Sequence, residues 1–144
     1  MKLGRDIREA ETMDEAGGER RTRVVLADDT EDLRTILRRL LEHDGRFEVV
    51  GEAEDGHEAV EVAADHQPDV IVLDLSMPVL DGRAALPRIR SAAPDTRIVV
   101  LSGFGSLDAD DARELGADAC IAKGAGIDEI ISTVARIANR EGGR

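Results

Sequence analysis

Asp28, Asp29, Asp74, Ser102 and Lys123 share a position in the sequence: each stands where a short apolar run stops. VVLA (24–27) runs into Asp28-Asp29, VIVL (70–73) into Asp74, IVVL (98–101) into Ser102 and CIA (120–122) into Lys123. A buried strand has no use for a carboxylate at its end, so these residues read as the working edge of a sheet. Two unit charges about 4 Å apart repel by roughly 1 kcal/mol in water and roughly 4 kcal/mol at an effective dielectric near 20. Clustered carboxylates therefore take up a proton or hold a cation. Oxygen donors with open positions suit magnesium, which keeps waters and phosphate oxygens in its shell. A carboxylate beside such a cation, with a lysine and a serine close by, is equipped for phosphoryl transfer. Aspartate is a nucleophile of that chemistry, and cationic groups neutralise charge growing on the transferred oxygens. Taken singly, each residue has an ordinary reading. An Asp-Asp pair often opens a helix, a lone lysine is usually solvated, and a serine can be a plain cap. The weight lies in their joint placement on adjacent strand ends.

That placement needs elements to produce it. The spacing predicts strands over 23–27, 47–53, 69–74, 97–102 and 118–123, rich in β-branched residues and nearly without polar alternation. Between them lie helical patterns over 30–44, 57–67, 82–93, 106–116 and 126–140. The first carries Leu33, Ile36, Leu37, Leu40 and Leu41 at helical spacing with Thr30 as a candidate N-cap. The last carries Ile127, Ile130, Ile131, Val134 and Ile137 on one stripe. Pro87 conflicts with the third, because proline is tolerated only in a first turn. That helix is expected to start late, near Ala84, or to kink. Alternating strands and helices give an α/β, doubly wound (βα)5 parallel sheet, for which right-handed crossovers favour the order 2-1-3-4-5. In that order the second strand, ending in Glu52-Ala53-Glu54-Asp55, lies at an edge away from the other strand ends. The other four deliver their polar residues to one rim, where open parallel sheets bind ligands.

Composition sets the bounds. The chain has 144 residues, 42% hydrophobic and 35% charged, which suits one soluble globular domain. No apolar run exceeds five residues, against about 20 for a membrane span. The N-terminus lacks the apolar core of a secretory signal, and a single cysteine, Cys120, forms no intrachain disulfide. A cytoplasmic location is the default expectation. A net charge of −12 opposes direct binding to nucleic acid or to an anionic membrane. With no Trp or Tyr and only Phe47 and Phe104 as aromatics, base-stacking platforms are not expected. The expected organisation is a flexible N-terminal extension over 1–21 with at most a frayed helix, a folded domain over 22–140 and a short tail over 141–144.

The stretches VVLADD (24–29), VIVLDLSMPVLDG (70–82), VVLSG (99–103) and CIAKG (120–124), with EDGHEAV (54–60), resemble the receiver domain of bacterial two-component response regulators. The resemblance covers residues 23 to about 140 and implies a flavodoxin-like receiver fold, here of a stand-alone type. It implies that Asp74 is the phosphoacceptor, with Asp29 holding Mg2+ directly, Asp28 largely through water, and the backbone carbonyl of Ser76 as a further ligand. Mn2+ could take the same place. It also implies that Ser102 is a switch hydroxyl and that Lys123 contacts the phosphoryl group. The implied partners are a sensor histidine kinase or a histidine phosphotransfer protein, with Arg34, Arg38 and Arg39 near the docking helix, and a homodimer is compatible. Such a domain catalyses its own phosphorylation and slow dephosphorylation. Two departures stand out. Cys120 occupies a position where the family often has an aromatic residue that swings with the hydroxyl, and Gly124 follows the lysine where proline is common. A lone cysteine on a strand reads first as a small apolar residue.

Three other functions share parts of this pattern. An aspartate-based phosphatase generally needs a second Asp two residues after the first as general acid, and Ser76 stands there. A receiver-like module acting without phosphorylation would not need this full set of acidic and basic residues. A nucleotide-binding flavodoxin-like protein would need more than the short glycine loops SGFGS (102–106) and KGAG (123–126).

Overall fold

The computed structural model describes residues 20–77, 79–103 and 109–139. Its order is β1 (Thr22–Ala27), α1 (Glu31–Asp44), β2 (Phe47–Ala53), α2 (Gly56–His66), β3 (Val70–Asp74), α3 (Gly82–Ala92), β4 (Arg97–Ser102), α4 (Ala109–Glu114), β5 (Ala119–Ala122) and α5 (Ile127–Ala138). The strands form one five-stranded sheet in the order β2-β1-β3-β4-β5, with every neighbouring pair parallel. This is the (βα)5 doubly wound fold expected from the alternation of runs. The expected tails, over most of 1–21 and over 141–144, lie outside the described residues, as do Pro78 and Phe104. Among the described residues no helix is long and apolar enough to cross a membrane.

Why the central strands carry no polar alternation is plain from the layers. Every residue of β3 and β4 is buried, because helices cover both faces. One apolar layer holds Val24, Leu26, Leu37, Leu41, Phe47, Ile130, Val134 and Ile137, beneath α1 and α5. The other holds Val25, Ile71, Leu73, Ala59, Ala63, Leu86 and Ile89, beneath α2 and α3.

Three local expectations need correction. Helix α3 does not start late, near Ala84: it begins at Gly82, with the Asp81 carboxylate accepting from the Ala84 amide at 2.9 Å, and runs through Pro87 to Ala92. The missing proline N–H deprives the Arg83 carbonyl of its partner, and both residues lie on the exposed side, where water can serve instead. Thr30 does occupy the N-cap position of α1, but its side chain makes no capping bond. Its amide instead donates to Asp28 Oδ1 at 2.8 Å. Of the five apolar residues of α1, only Leu37 and Leu41 are buried; Ile36 and Leu40 stand 46% and 41% exposed.

Candidate functional site

The parallel register brings the strand ends to one rim. Val24 to Ala27 of β1 lie opposite Val70 to Leu73 of β3, so Asp28 and Asp74 follow at the same level. Asp74 lies opposite Leu101, Ser102 lies opposite Ala122, and the Lys123 amide donates to the Ser102 carbonyl at 2.9 Å. All five predicted residues thus occupy one edge of the sheet.

The carboxylates of Asp28, Asp29 and Asp74 each offer an oxygen within 4.8 Å of the others. Asp74 is 0% exposed and Asp28 3%, whereas Asp29 faces solvent. Asp74 Oδ1 accepts from the Ser76 amide at 2.9 Å, which places Ser76 beside the carboxylate. Asp74 Oδ2 accepts from Lys123 Nζ at 2.9 Å, and the same ammonium lies 3.9 Å from Asp28 Oδ2. Burial pushes the Asp28 carboxyl above its usual range, and the charge of Asp74 adds to this, against the opposing pull of the Thr30 amide and Lys123. Burial alone would lower the Lys123 ammonium, but its bond to Asp74 and the charges of Asp28, Asp74 and Asp29 leave it raised overall. Ser102 is 9% exposed. Cys120 is half-buried and packs against the layer beneath α2 and α3, as its reading as a small apolar residue requires.

A cation suits this site on two observations. The donors are all oxygens, the set that hard divalent cations prefer. Asp28 Oδ2 is also a buried atom with no hydrogen-bond partner. Such orphans are rare in folded proteins and call for a ligand to explain them.

Two glycines make the site's backbone possible. A Cβ on Gly82 would lie 2.5 Å from the Asp74 carbonyl oxygen, and one on Gly56 would lie 1.7 Å from the Leu80 carbonyl oxygen. The loop after Asp74 is therefore clamped between the first residues of α2 and α3. Val79, in that loop, is 83% exposed and takes a positive φ of 68°, an uncommon conformation for a β-branched residue.

Sequence reasoning missed the neighbours of Asp28. Arg34 and Arg38, read as part of a solvated or docking face, are turned onto Glu52: Arg34 Nε lies 2.9 Å from Glu52 Oε1, and Arg38 pairs with the other oxygen. Arg34 also donates to the Asp28 carbonyl at 2.6 Å. Only Arg39 of the three is exposed. A cleft of about 380 Å3, lined by Arg20, Thr96, Arg97 and Asn139, opens at the opposite end of the sheet, away from all these residues.

Comparison with known proteins gives the same reading. The family model described as "Response regulator receiver domain" matches residues 24–135. A protein-glutamate methylesterase/protein-glutamine glutaminase of Caldanaerobacter subterraneus is 40% identical over 135 residues, 85% of this chain. The match spans only 37% of that protein's length. The chemotaxis protein CheY of Bacillus subtilis is 34% identical over 118 residues, 81% of this chain and 98% of that one. Among solved structures, the signal receiver domain of the putative response regulator NarL from Mycobacterium tuberculosis superposes with a TM-score of 0.74 at 34% identity, covering 82% of this chain and 96% of that one. From its first strand to its fifth helix, then, the chain belongs to the response regulator receiver domains, the phosphorylation-dependent switches of two-component signalling.

Proposed function

We propose that Asp74 accepts the phosphoryl group, from a histidine kinase or a histidine phosphotransfer protein. The observation that carries this reading is the state of the Asp74 carboxylate. It is fully buried at the end of a central strand, yet held by an ammonium at 2.9 Å and grouped with two further carboxylates. A purely structural aspartate needs no such company. In the transfer, a carboxylate oxygen of Asp74 attacks phosphorus, the nitrogen–phosphorus bond of the donor breaks, and the imidazole leaves with its electron pair. Asp28, Asp29, Asp74 and the Ser76 carbonyl would hold Mg2+, which when bound supplies positive charge against the transferring oxygens. Lys123 supplies the same from the other side, and exchanges its contact with Asp74 Oδ2 for one with the phosphoryl group. Ser102, one residue beyond the level of Asp74, donates its hydroxyl to a phosphoryl oxygen and so carries the chemical change into the end of β4. The exposed apolar pair Ile36 and Leu40 on α1, with Arg39 beside it, supports docking of the phosphodonor protein on that helix.

Intact-mass measurement after incubation with acetyl phosphate and Mg2+ tests this. The expected result is one phosphoryl adduct that requires the metal and is absent from Asp74→Asn. An adduct that persists in Asp74→Asn moves the acceptor elsewhere, and a folded wild-type chain that takes no adduct ends the reading.

A further inference from the structure

We propose that Arg34 is a positioning residue for the acidic pair, and that Glu52 exists to hold Arg34 in that role. This deepens the metal reading above and rests on it.

The sheet is irregular along its edge strand β2. Along β2, Phe47 and Val49 face the layer beneath α1 and α5, as alternation requires. Val50 then faces the opposite layer. Gly51 should turn back. Instead, a Cβ built on it would point at Val62 of α2, on the same side as Val50. The register shows the cause. Val24 of β1 pairs with Val49, but Val25 pairs with Gly51, so β2 carries one extra residue at a bulge. Because the side-chain period of a strand is two, one extra residue reverses the face of everything after it. Glu52 is thereby swung to the side of α1, where Arg34 and Arg38 meet it, and Ala53 is sent to the other layer. Without the bulge Glu52 would point under α2.

Glu52 in turn fixes the Arg34 guanidinium, on a side chain only 12% exposed, and Arg34 reaches on to the Asp28 carbonyl. Asp28 is thus fastened at three points. Its amide donates to the Ala53 carbonyl at 3.0 Å. Its carbonyl accepts from Arg34 at 2.6 Å. Its Oδ1 accepts from the Thr30 amide at 2.8 Å. Oδ2 is what remains, buried and without a hydrogen-bond partner. A largely buried ion pair is weak evidence for stability, since apolar replacements are often as good. What this pair provides is direction: a planar fork that joins an edge strand to the backbone of a cation-binding residue, which a point charge on a flexible stem does not do. Groups that orient a metal's ligands typically cost roughly 10–100-fold in metal affinity when removed.

The test compares wild type, Arg34→Met, Arg34→Lys and Glu52→Gln in two measurements. Calorimetric titration with Mg2+ reads the affinity. Amide exchange of Thr30 by NMR in metal-free protein reads the loop itself. The expected result is Mg2+ binding weakened roughly 10–100-fold in Arg34→Met, less in Glu52→Gln, and only partly restored in Arg34→Lys, together with faster Thr30 exchange and an unchanged fold by circular dichroism. Mg2+ affinity within two-fold of wild type in folded Arg34→Met, with unchanged Thr30 exchange, overturns the proposal. Should Arg34→Met fail to fold, Glu52→Gln decides by the same two readouts. A wild-type chain that binds no Mg2+ overturns the metal reading. Thr30 exchange then decides on its own whether Arg34 positions Asp28.

Discussion

Asp28 is where the opposing requirements of the site meet, since its carboxylate is almost fully buried beside a second buried carboxylate. Burial and the charge of Asp74 raise its pKa above the ordinary value of 3.8. The consequence for stability has a definite sign. A carboxyl whose pKa is raised by folding contributes stability that is fully present below 3.8 and is lost as pH rises through the folded value. At neutral pH the ionised group therefore weighs against the fold. Asp28→Asn should raise the metal-free melting temperature at pH 7 by roughly 3–5 °C, for about 1 kcal/mol of relieved repulsion. The advantage should shrink as pH falls toward 4, which thermal melts at a series of pH values would show. Val79 offers a second check at this scale. A left-handed conformation costs an L-residue roughly 1–2 kcal/mol, and asparagine tolerates it far better. Since Val79 is 83% exposed, little packing is lost on replacing it. Val79→Asn should move the urea midpoint upward by about 1 kcal/mol of stability. The meeting of the candidate site residues at one edge was legible from sequence, because each interrupts an apolar run at the same structural point. Arg34 was not, because only the bulge in β2 brings Glu52 round to meet it, and nothing in FEVVGEA marks the extra residue except a glycine.

At the scale of elements, the loop between β3 and α3 depends on what its neighbours lack. Gly82→Ala would drive a methyl group to 2.5 Å from the Asp74 carbonyl, and Gly56→Ala one to 1.7 Å from the Leu80 carbonyl. Both contacts are with backbone, which cannot step aside cheaply. Each variant should lose at least about 1–3 kcal/mol, the usual cost of overpacking, and Gly56→Ala should lose more. Equilibrium urea denaturation checks both, and a Gly82→Ala chain as stable as wild type would show that the helix start can move. The bounds of α1, α2, α3 and α5 were legible from sequence to within one or two residues, while the start expected for α4 at 106 lies outside the described residues. Asp81 starts α3 at Gly82 in spite of Pro87, and the Asp28 side chain serves the Thr30 amide in place of a threonine cap. Periodicity also assigned Ile36 and Leu40 to the apolar stripe of α1. It could not show that both remain exposed once the helix is packed on the sheet.

Over the whole molecule, charge is the dominant long-range fact. A net charge of −12 on 144 residues makes the chain repel itself, and three of its carboxylates gather at the site. Sodium chloride should raise the melting temperature modestly, since the Debye length falls from about 10 Å at 0.1 M to about 3 Å at 1 M. Mg2+ at matched ionic strength should raise it further, by an increment that follows site occupancy, about 2.7 kcal/mol at a hundredfold excess over the dissociation constant. Asp29→Asn should remove that increment and leave the sodium effect in place. Equal responses to the two salts would mean that Mg2+ acts only as a screen. The topology was the most legible feature of all, because a doubly wound parallel sheet follows from alternating runs and the handedness of crossovers, with no side-chain detail needed.

The backbone bond from Lys123 to Ser102 has a kinetic meaning. The lysine's own amide hangs from the serine's own carbonyl, at 2.9 Å, across the last rung between β4 and β5. Neither strand tip can shift far without drawing the other along or breaking that rung. Hydroxyl and ammonium are thus two hands on one handle. In a relaxation-dispersion experiment on the phosphorylated chain, Ser102 and Lys123 should report one exchange process with a common rate, not two events in sequence.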